Sequence, residues 1–187
     1  DIEDICSKLP KSRQTLLFSA TMPPPIQKLA AKFLNEPKQI EVARPATANI
    51  NIDQRVIEVR GDKKREALRD LLRSDEVKNA IIFCNRKTTV RELTTSLKRG
   101  HFAVGQIHGD MDQSDRIAEF DRFKKDEINI LVASDVAARG LDVKGVSHVI
   151  NFDVPWQPDD YVHRIGRTGR AGATGTAITL ATREDNE

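Results

Sequence analysis

The sequence predicts an α/β protein: a parallel sheet flanked by helices on both faces, preceded by a partial α/β segment of another domain. Three observations carry that prediction. From Asn51 onward, short apolar runs alternate with amphipathic stretches, the pattern of strands joined by right-handed helical crossovers. Several of the apolar runs are continuous rather than alternating, as expected when helices cover both faces of the sheet. The 187 residues are 39% hydrophobic, which suffices for one core and part of a second.

Taken in order, residues 15–18 (TLLF) read as a buried strand. The prolines at 23–25 suit the start of a helix that runs to residue 34, and residues 39–42 read as another strand. So few elements cannot bury both faces of a sheet, so residues 1–43 are expected to be the end of a preceding domain. Residues 44–51 hold proline, alanine and small polar residues with no apolar period, and read as a linker. The main domain is expected over 52–187, with strands at 54–59, 80–84, 103–107, 130–133, 148–151 and 176–180. Helices are expected between them at 63–73, 88–99, 112–124 and 158–165. No repeat of solenoid period and no low-complexity tract interrupts the pattern.

Formal net charge is only +2, so any anion binding must come from local arrangement rather than a global positive field. The two cysteines, Cys6 and Cys84, match no metal-ligand spacing, and no metal site is expected. Cys84 lies in the apolar run AIIFC and reads as a small buried hydrophobe. Free thiols fit a reducing, cytoplasmic setting. No apolar run approaches transmembrane length, so no membrane partner is expected. The chain opens on Asp1 and closes on TREDNE, and is expected to be a piece of a longer protein.

Residues 161–172 read YVHRIGRTGRAG, with Arg164, Arg167 and Arg170 recurring every third residue among Gly166, Gly169 and Gly172. Each glycine in a helix interior costs about 1 kcal/mol relative to alanine, so a helix is expected to end here in a glycine-shaped turn that presents guanidinium groups. Guanidinium is planar, always charged and forked, which suits phosphate oxygens. Charge alone equally allows a solvated basic turn.

In open parallel sheets, ligands bind at the carboxyl ends of strands. Asn85-Arg86-Lys87-Thr88, His108-Gly109-Asp110, Ser134-Asp135 and Asp153 all fall at such ends. A helix follows each of the first three, so free backbone N–H groups and positive helix ends point at one rim, fit to hold a row of phosphates. The plainer reading of each cluster taken alone is N-capping, by Thr88, Asp110 or Asp135. In ARGLD, at 138–142, Arg139 beside Gly140 can approach a phosphate and Asp142 can accept ribose hydroxyls. The alternative there is a local ion pair.

Five segments in order resemble DEAD-box RNA helicases: SAT (19–21), IIFCNRK (81–87), HGDMDQSDR (108–116), ASDVAARGLDV (133–143) and YVHRIGRTGR (161–170). The resemblance covers nearly the whole chain and implies the second RecA-like domain, preceded by the tail of the first. It implies that Arg167 and Arg170 reach the terminal phosphates of ATP, with Arg170 as the arginine finger. It implies that His163 contacts the first domain, that Asp142 and Gly140 lie at the nucleotide, and that Ser19 and Thr21 relay between domains. Asn85, Arg86, Gly109, Asp110, Arg116, Ser134, Asp135 and Arg139 are implied on the RNA-backbone face. Many members have threonine where this chain has Ser134, and serine keeps the hydroxyl.

The chain carries no GxxxxGK[ST] segment and no DEAD tetrad. The P-loop lysine and the carboxylate that holds Mg²⁺ in phosphoryl transfer are therefore expected on the first domain. The chain alone is expected not to hydrolyse ATP, and to bind RNA through its backbone without sequence preference. Residues 1–43, without their sheet, are expected either to be disordered or to pair with another chain. Two other readings stay open: a non-catalytic RNA-binding or scaffold module, and a DNA helicase of the same superfamily.

Overall fold

The computed structural model describes residues 2–19, 22–40, 51–74, 76–138, 146–170 and 172–186. It divides into two compact units, Asp1–Arg44 and Pro45–Glu187.

The larger unit carries strands β1 (Ile52–Glu58), β2 (Ala80–Cys84), β3 (Val104–Ile107), β4 (Ile130–Ser134), β5 (His148–Asn151) and β6 (Gly175–Ala181). They form one sheet in the order β1-β6-β5-β2-β4-β3, and every pairing is parallel. The smaller unit's helices are α1 (Ile2–Ser7) and α2 (Pro24–Phe33). The larger unit adds α3 (Lys64–Leu72), α4 (Lys87–Arg99), α5 (Gln113–Lys124), α6 (Asp135–Ala138) and α7 (Pro158–Ile165).

Successive side chains of a strand point to opposite faces, and the buried residues divide accordingly. Ile82, Cys84, Val132, Ile150 and Ile178 pack with Leu68 and Leu72 of α3 and with Val90, Leu93 and Leu97 of α4. Ile81, Phe83, Leu131, Ala133 and Val149 pack on the other face with Phe120 and Phe123 of α5. Burying one such aliphatic side chain contributes about 1.5–3 kcal/mol, so the two cores are the main support of the domain. The apolar residues of α4 recur at helical spacing, and the Thr94 hydroxyl among them donates to Val90 O at 2.8 Å, which satisfies its burial. This is the RecA-like α/β sheet with both faces covered that the resemblance implies.

At the amino-terminal ends of β2 and β5, Asn79 and Ser147 clasp each other. Ser147 N donates to Asn79 Oδ1 at 2.7 Å, and Ser147 Oγ donates to Asn79 O at 2.6 Å. That clasp fixes the register in which Ala80 meets His148, and so levels the opposite ends of the strands, where the candidate site lies.

The smaller unit departs from expectation. Residues 15–18 form no strand, and Leu16 and Phe18 are 68% and 87% exposed. A strand needs a partner for its N–H and C=O groups, and none is present among the described residues of this unit. Residues 39 and 40 are likewise not in a strand, and 41–42, with most of the expected linker, lie outside the described residues. Helix α2 matches the reading from the prolines, with Pro24 in its first turn and Leu34 N closing on Ala30 O at 2.9 Å. Lys32 of α2 pairs with Glu3 of α1 at 2.8 Å.

Candidate functional site

The sheet order sets β5, β2, β4 and β3 side by side, and their carboxyl ends are nearly level: Phe83 pairs with Asn151, Cys84 with Ser134, and Ile107 with Ala133. Asp153, Asn85, Asp135 and Asp110 therefore leave the sheet on neighbouring strands as one rim. The connection from β2 leads toward β3 and that from β5 leads toward β6, so a crevice opens between them, where ligands of open parallel sheets bind.

Arg164 occupies the foot of that crevice. Its side chain is 1% exposed, which corrects the expectation that all three arginines of this segment are presented outward. Nε and Nη2 grip Asp135 at 2.6 and 2.7 Å, and Nη2 also donates to Asn85 Oδ1 at 2.6 Å. Nη1 donates to Asp153 O at 2.7 Å and to Asn151 Oδ1 at 3.4 Å. All five guanidinium N–H groups are thus used. The guanidinium carbon stands 5.4 Å from the Phe83 ring centroid, within cation–π range. Asn85 closes the network: its backbone N–H donates to Asp153 Oδ2 at 2.9 Å and its Nδ2 donates to Val154 O at 2.8 Å. One side chain of α7 thereby locks the ends of β2, β4 and β5 together.

The capping alternatives do not hold. Thr88 lies inside α4, whose cap position is Arg86 with no side-chain cap bond. Asp110 precedes the cap position of α5, which is Asp112. Asp110 instead takes Lys87 Nζ at 2.8 Å and Arg91 Nη2 at 2.7 Å. The hydrogen bond from Lys87 holds its carboxyl below the ordinary carboxylate range. Asp135 is spent on Arg164. His108, behind Asp110, is buried; burial, and then the Arg91 cation, hold its imidazole below the ordinary value.

Of the remaining sequence-expected residues, Arg86 and Gly109 are exposed on the rim and Ser134 is half-buried at the end of β4. Arg116 reaches across from α5 and donates Nη2 to Ala137 O at 3.0 Å, tying α5 to α6. Past the end of α7, Arg170 Nε donates to Gly166 O at 2.6 Å, and the Thr168 hydroxyl donates to Val146 O at 2.6 Å. Gly169 sits at φ 62°, in the left-handed region, where the chain turns. Gly175 leaves room for that turn, since a Cβ there would land on the Thr168 hydroxyl. A small cleft beside Arg164 is lined by Phe83, Asp135, Asp160, His163 and Arg167. The buried Nδ1 of His163 has no hydrogen-bond partner among the described residues. Arg139, Gly140 and Asp142 lie outside the described residues, as does Thr21, while Ser19 is exposed in the smaller unit.

The rim, then, offers cations, hydroxyls and helix starts held on a rigid frame, a surface for phosphates rather than for acid–base chemistry. Residues 63–172 match the helicase conserved C-terminal domain. The chain is 50% identical over 182 residues to the DEAD-box ATP-dependent RNA helicase CshA of Geobacillus kaustophilus, covering 97% of this chain and 39% of that protein. It therefore spans about two fifths of the length of that curated relative. Among solved structures, a DEAD box protein from the hyperthermophile Methanococcus jannaschii is 41% identical, covers 98% of this chain and 49% of its own, and superposes with a TM-score of 0.70. Dbp5 of S. cerevisiae, bound to RNA and ADP BeF3, is 30% identical, covers 97% of this chain and 48% of its own, and has a TM-score of 0.83. The chain belongs to the DEAD-box RNA helicase family, of which it carries the helicase C-terminal domain.

Proposed function

We propose that this chain is the second half of an ATP-dependent RNA helicase, holding the RNA backbone on its rim and supplying arginines to a nucleotide bound by the first domain. The observation that carries the reading is the rim itself: neighbouring strand ends locked by Arg164, with Arg167 and Arg170 following on the same turn. Arg86, Gly109, Ser134 and Arg116 are the groups that face RNA phosphates and 2′-hydroxyls, with Arg139 from the adjoining segment. Asn85, Asp110 and Asp135, bound to Arg164, Lys87 and Arg91, act by positioning these groups. Contacts of this kind carry no base information, so binding is independent of sequence.

ATP with Mg²⁺ is the proposed cofactor, its P-loop lysine and metal-holding carboxylate coming from the first domain. Among the described residues no cluster of His, Cys, Asp or Glu could hold a metal ion. Arg167 and the orphaned Nδ1 of His163 stand at the cleft beside Arg164 and are the groups proposed to meet the nucleotide's anionic side at this edge of the domain. Arg170 is the proposed finger, His163 the coupling residue, and Asp142 and Gly140 the ribose side. Ser19 and Thr21 are the proposed relay from the first domain. The exposed Leu16, Leu17 and Phe18 are covered by the rest of that domain in the intact protein, or by a second copy in the isolated chain.

Competition binding tests this. Labelled RNA should bind the chain weakly, lose affinity with salt and show no preference among sequences of equal length. Arg86→Ala and Ser134→Ala should weaken every sequence alike. Strong preference for one RNA sequence, or equal binding of DNA with ATP hydrolysis stimulated by DNA in the two-domain protein, would refute the reading.

A further inference from the structure

Helices α3 and α4 lie side by side on one face of the sheet, and between them runs a groove of about 700 Å³. Its charged lining is Arg65, Arg69 and Arg73 from α3 and its end, with Arg91, Arg99 and a lone carboxylate, Glu92, from α4. On each helix the arginines stand four or eight residues apart, on one face, so successive guanidiniums are about 6 or 12 Å apart along the axis. Not one lysine lines the groove. In a chain whose net charge is +2, five arginines against one carboxylate is a local concentration of charge, not a sample of the average surface.

The pairing within the groove is uneven. Arg65 Nη2 meets Glu92 at 2.8 Å, and Arg91 Nη2 meets Asp110 of the rim at 2.7 Å. Arg69, Arg73 and Arg99, farther from the rim, make no ion pair among the described residues; Arg73 stands over the Phe102 ring at 5.7 Å. Like charges four residues apart, as Arg65, Arg69 and Arg73 are, weaken a helix slightly, and a bound polyanion would relieve that cost. Guanidinium forks match phosphate oxygens in pairs, where lysine would serve as a point charge. A protein partner would need apolar or aromatic anchors at its centre. Here the side chains between the arginines are those of Thr95, Ser96 and Glu92, and the apolar part of the lining is arginine stem, with no aromatic or aliphatic anchor among the lining residues.

We propose that the groove between α3 and α4 is a second track for RNA phosphates, which takes the strand onward from the rim along the face of the domain. Arg91 joins the two, since it lines the groove and bonds the rim carboxylate of Asp110. Placing the strand at the rim rests on the function proposed above; the groove's affinity for phosphates does not.

The test is fluorescence anisotropy on the full chain, with a short oligouridine that spans only the rim and one several times longer. The paired change Arg69→Ala and Arg99→Ala should leave the short strand's affinity within twofold. It should weaken the long strand about tenfold and lower its salt slope by roughly 1.4, as expected for two lost single-strand phosphate contacts. Arg69→Lys with Arg99→Lys, which keeps both charges, should keep most of that slope and so separates charge loss from a folding defect. Unchanged binding of the long strand, or equal loss for both strands, would overturn the proposal. So would displacement of the long strand by polyglutamate as readily as by unlabelled RNA, which would mark an acidic-protein site. If Arg86→Ala leaves the short strand bound while the groove variant still loses the long one, the rim reading fails and the groove proposal stands.

Discussion

Arg164 offers the sharpest perturbation of this frame. Replacing it with methionine keeps much of the stem's volume and removes five charge-assisted or polar hydrogen bonds, to Asp135, Asn85, Asn151 and Asp153 O. Hydrogen bonds to charged groups are worth about 1.5–3 kcal/mol each, but they share one network and do not add. The better guide is the loss on removing one partner of a buried ion pair, about 3–5 kcal/mol. Asp135 keeps 23% of its side chain exposed, so water can take up part of the orphaned charge and the lower end of that range applies. A loss of about 3 kcal/mol is a large share of the 5–15 kcal/mol that holds a typical domain. Urea denaturation followed by far-UV circular dichroism would read it directly. The double change Arg164→Met with Asp135→Leu should be no worse than Arg164→Met alone, because it removes the orphaned carboxylate. A single-variant loss under about 1 kcal/mol, or strictly additive losses in the double variant, would refute the hub.

Two further predictions concern stability. Burial holds His108 and His148 below the ordinary imidazole value of 6.5, so the unfolded chain binds their protons more readily than the folded one. Stability from these groups is present above pH 6.5 and lost as pH falls below it, before the carboxylates titrate. Urea midpoints measured on either side of that value should fall on the acid side, and a midpoint that rises there contradicts the assignment. A chain starting at Ile50 should fold cooperatively, since all three apolar clusters are built from residues after that point. A broad transition with dye-binding apolar surface would place the domain boundary elsewhere.

The sheet was legible because several of its strands hold apolar runs between helical stretches: 80–84 and 148–151 are met residue for residue, as is the helix Pro158–Ile165. Helix α6 was not, since four residues carry no period, and the strand read at 15–18 failed because apolarity cannot supply a partner strand. The rim was legible as a set of strand ends, but not its wiring. Arg164, Arg167 and Arg170 look equivalent in sequence. Only the fold shows that the first turns inward, because its partners come from residues 85, 135, 151 and 153. The capping residues misled for the same reason: Asp110 and Asp135 look like caps locally and are claimed by cations from other elements. Nothing in the one-dimensional pattern brings Arg69 of α3 beside Arg99 of α4, since the residues between them form a strand and a crossover.

The proposed role of this domain, completing an ATP site held by the first domain, is tested most directly by RNA-stimulated ATP hydrolysis in the two-domain protein carrying Arg170→Lys, beside the unaltered protein. Lysine keeps the charge and loses the fork, and an arginine finger is worth about 10³–10⁵ in rate. The expected result is a loss of kcat on that order with RNA affinity nearly unchanged. Hydrolysis within a few-fold of the unaltered protein would contradict it.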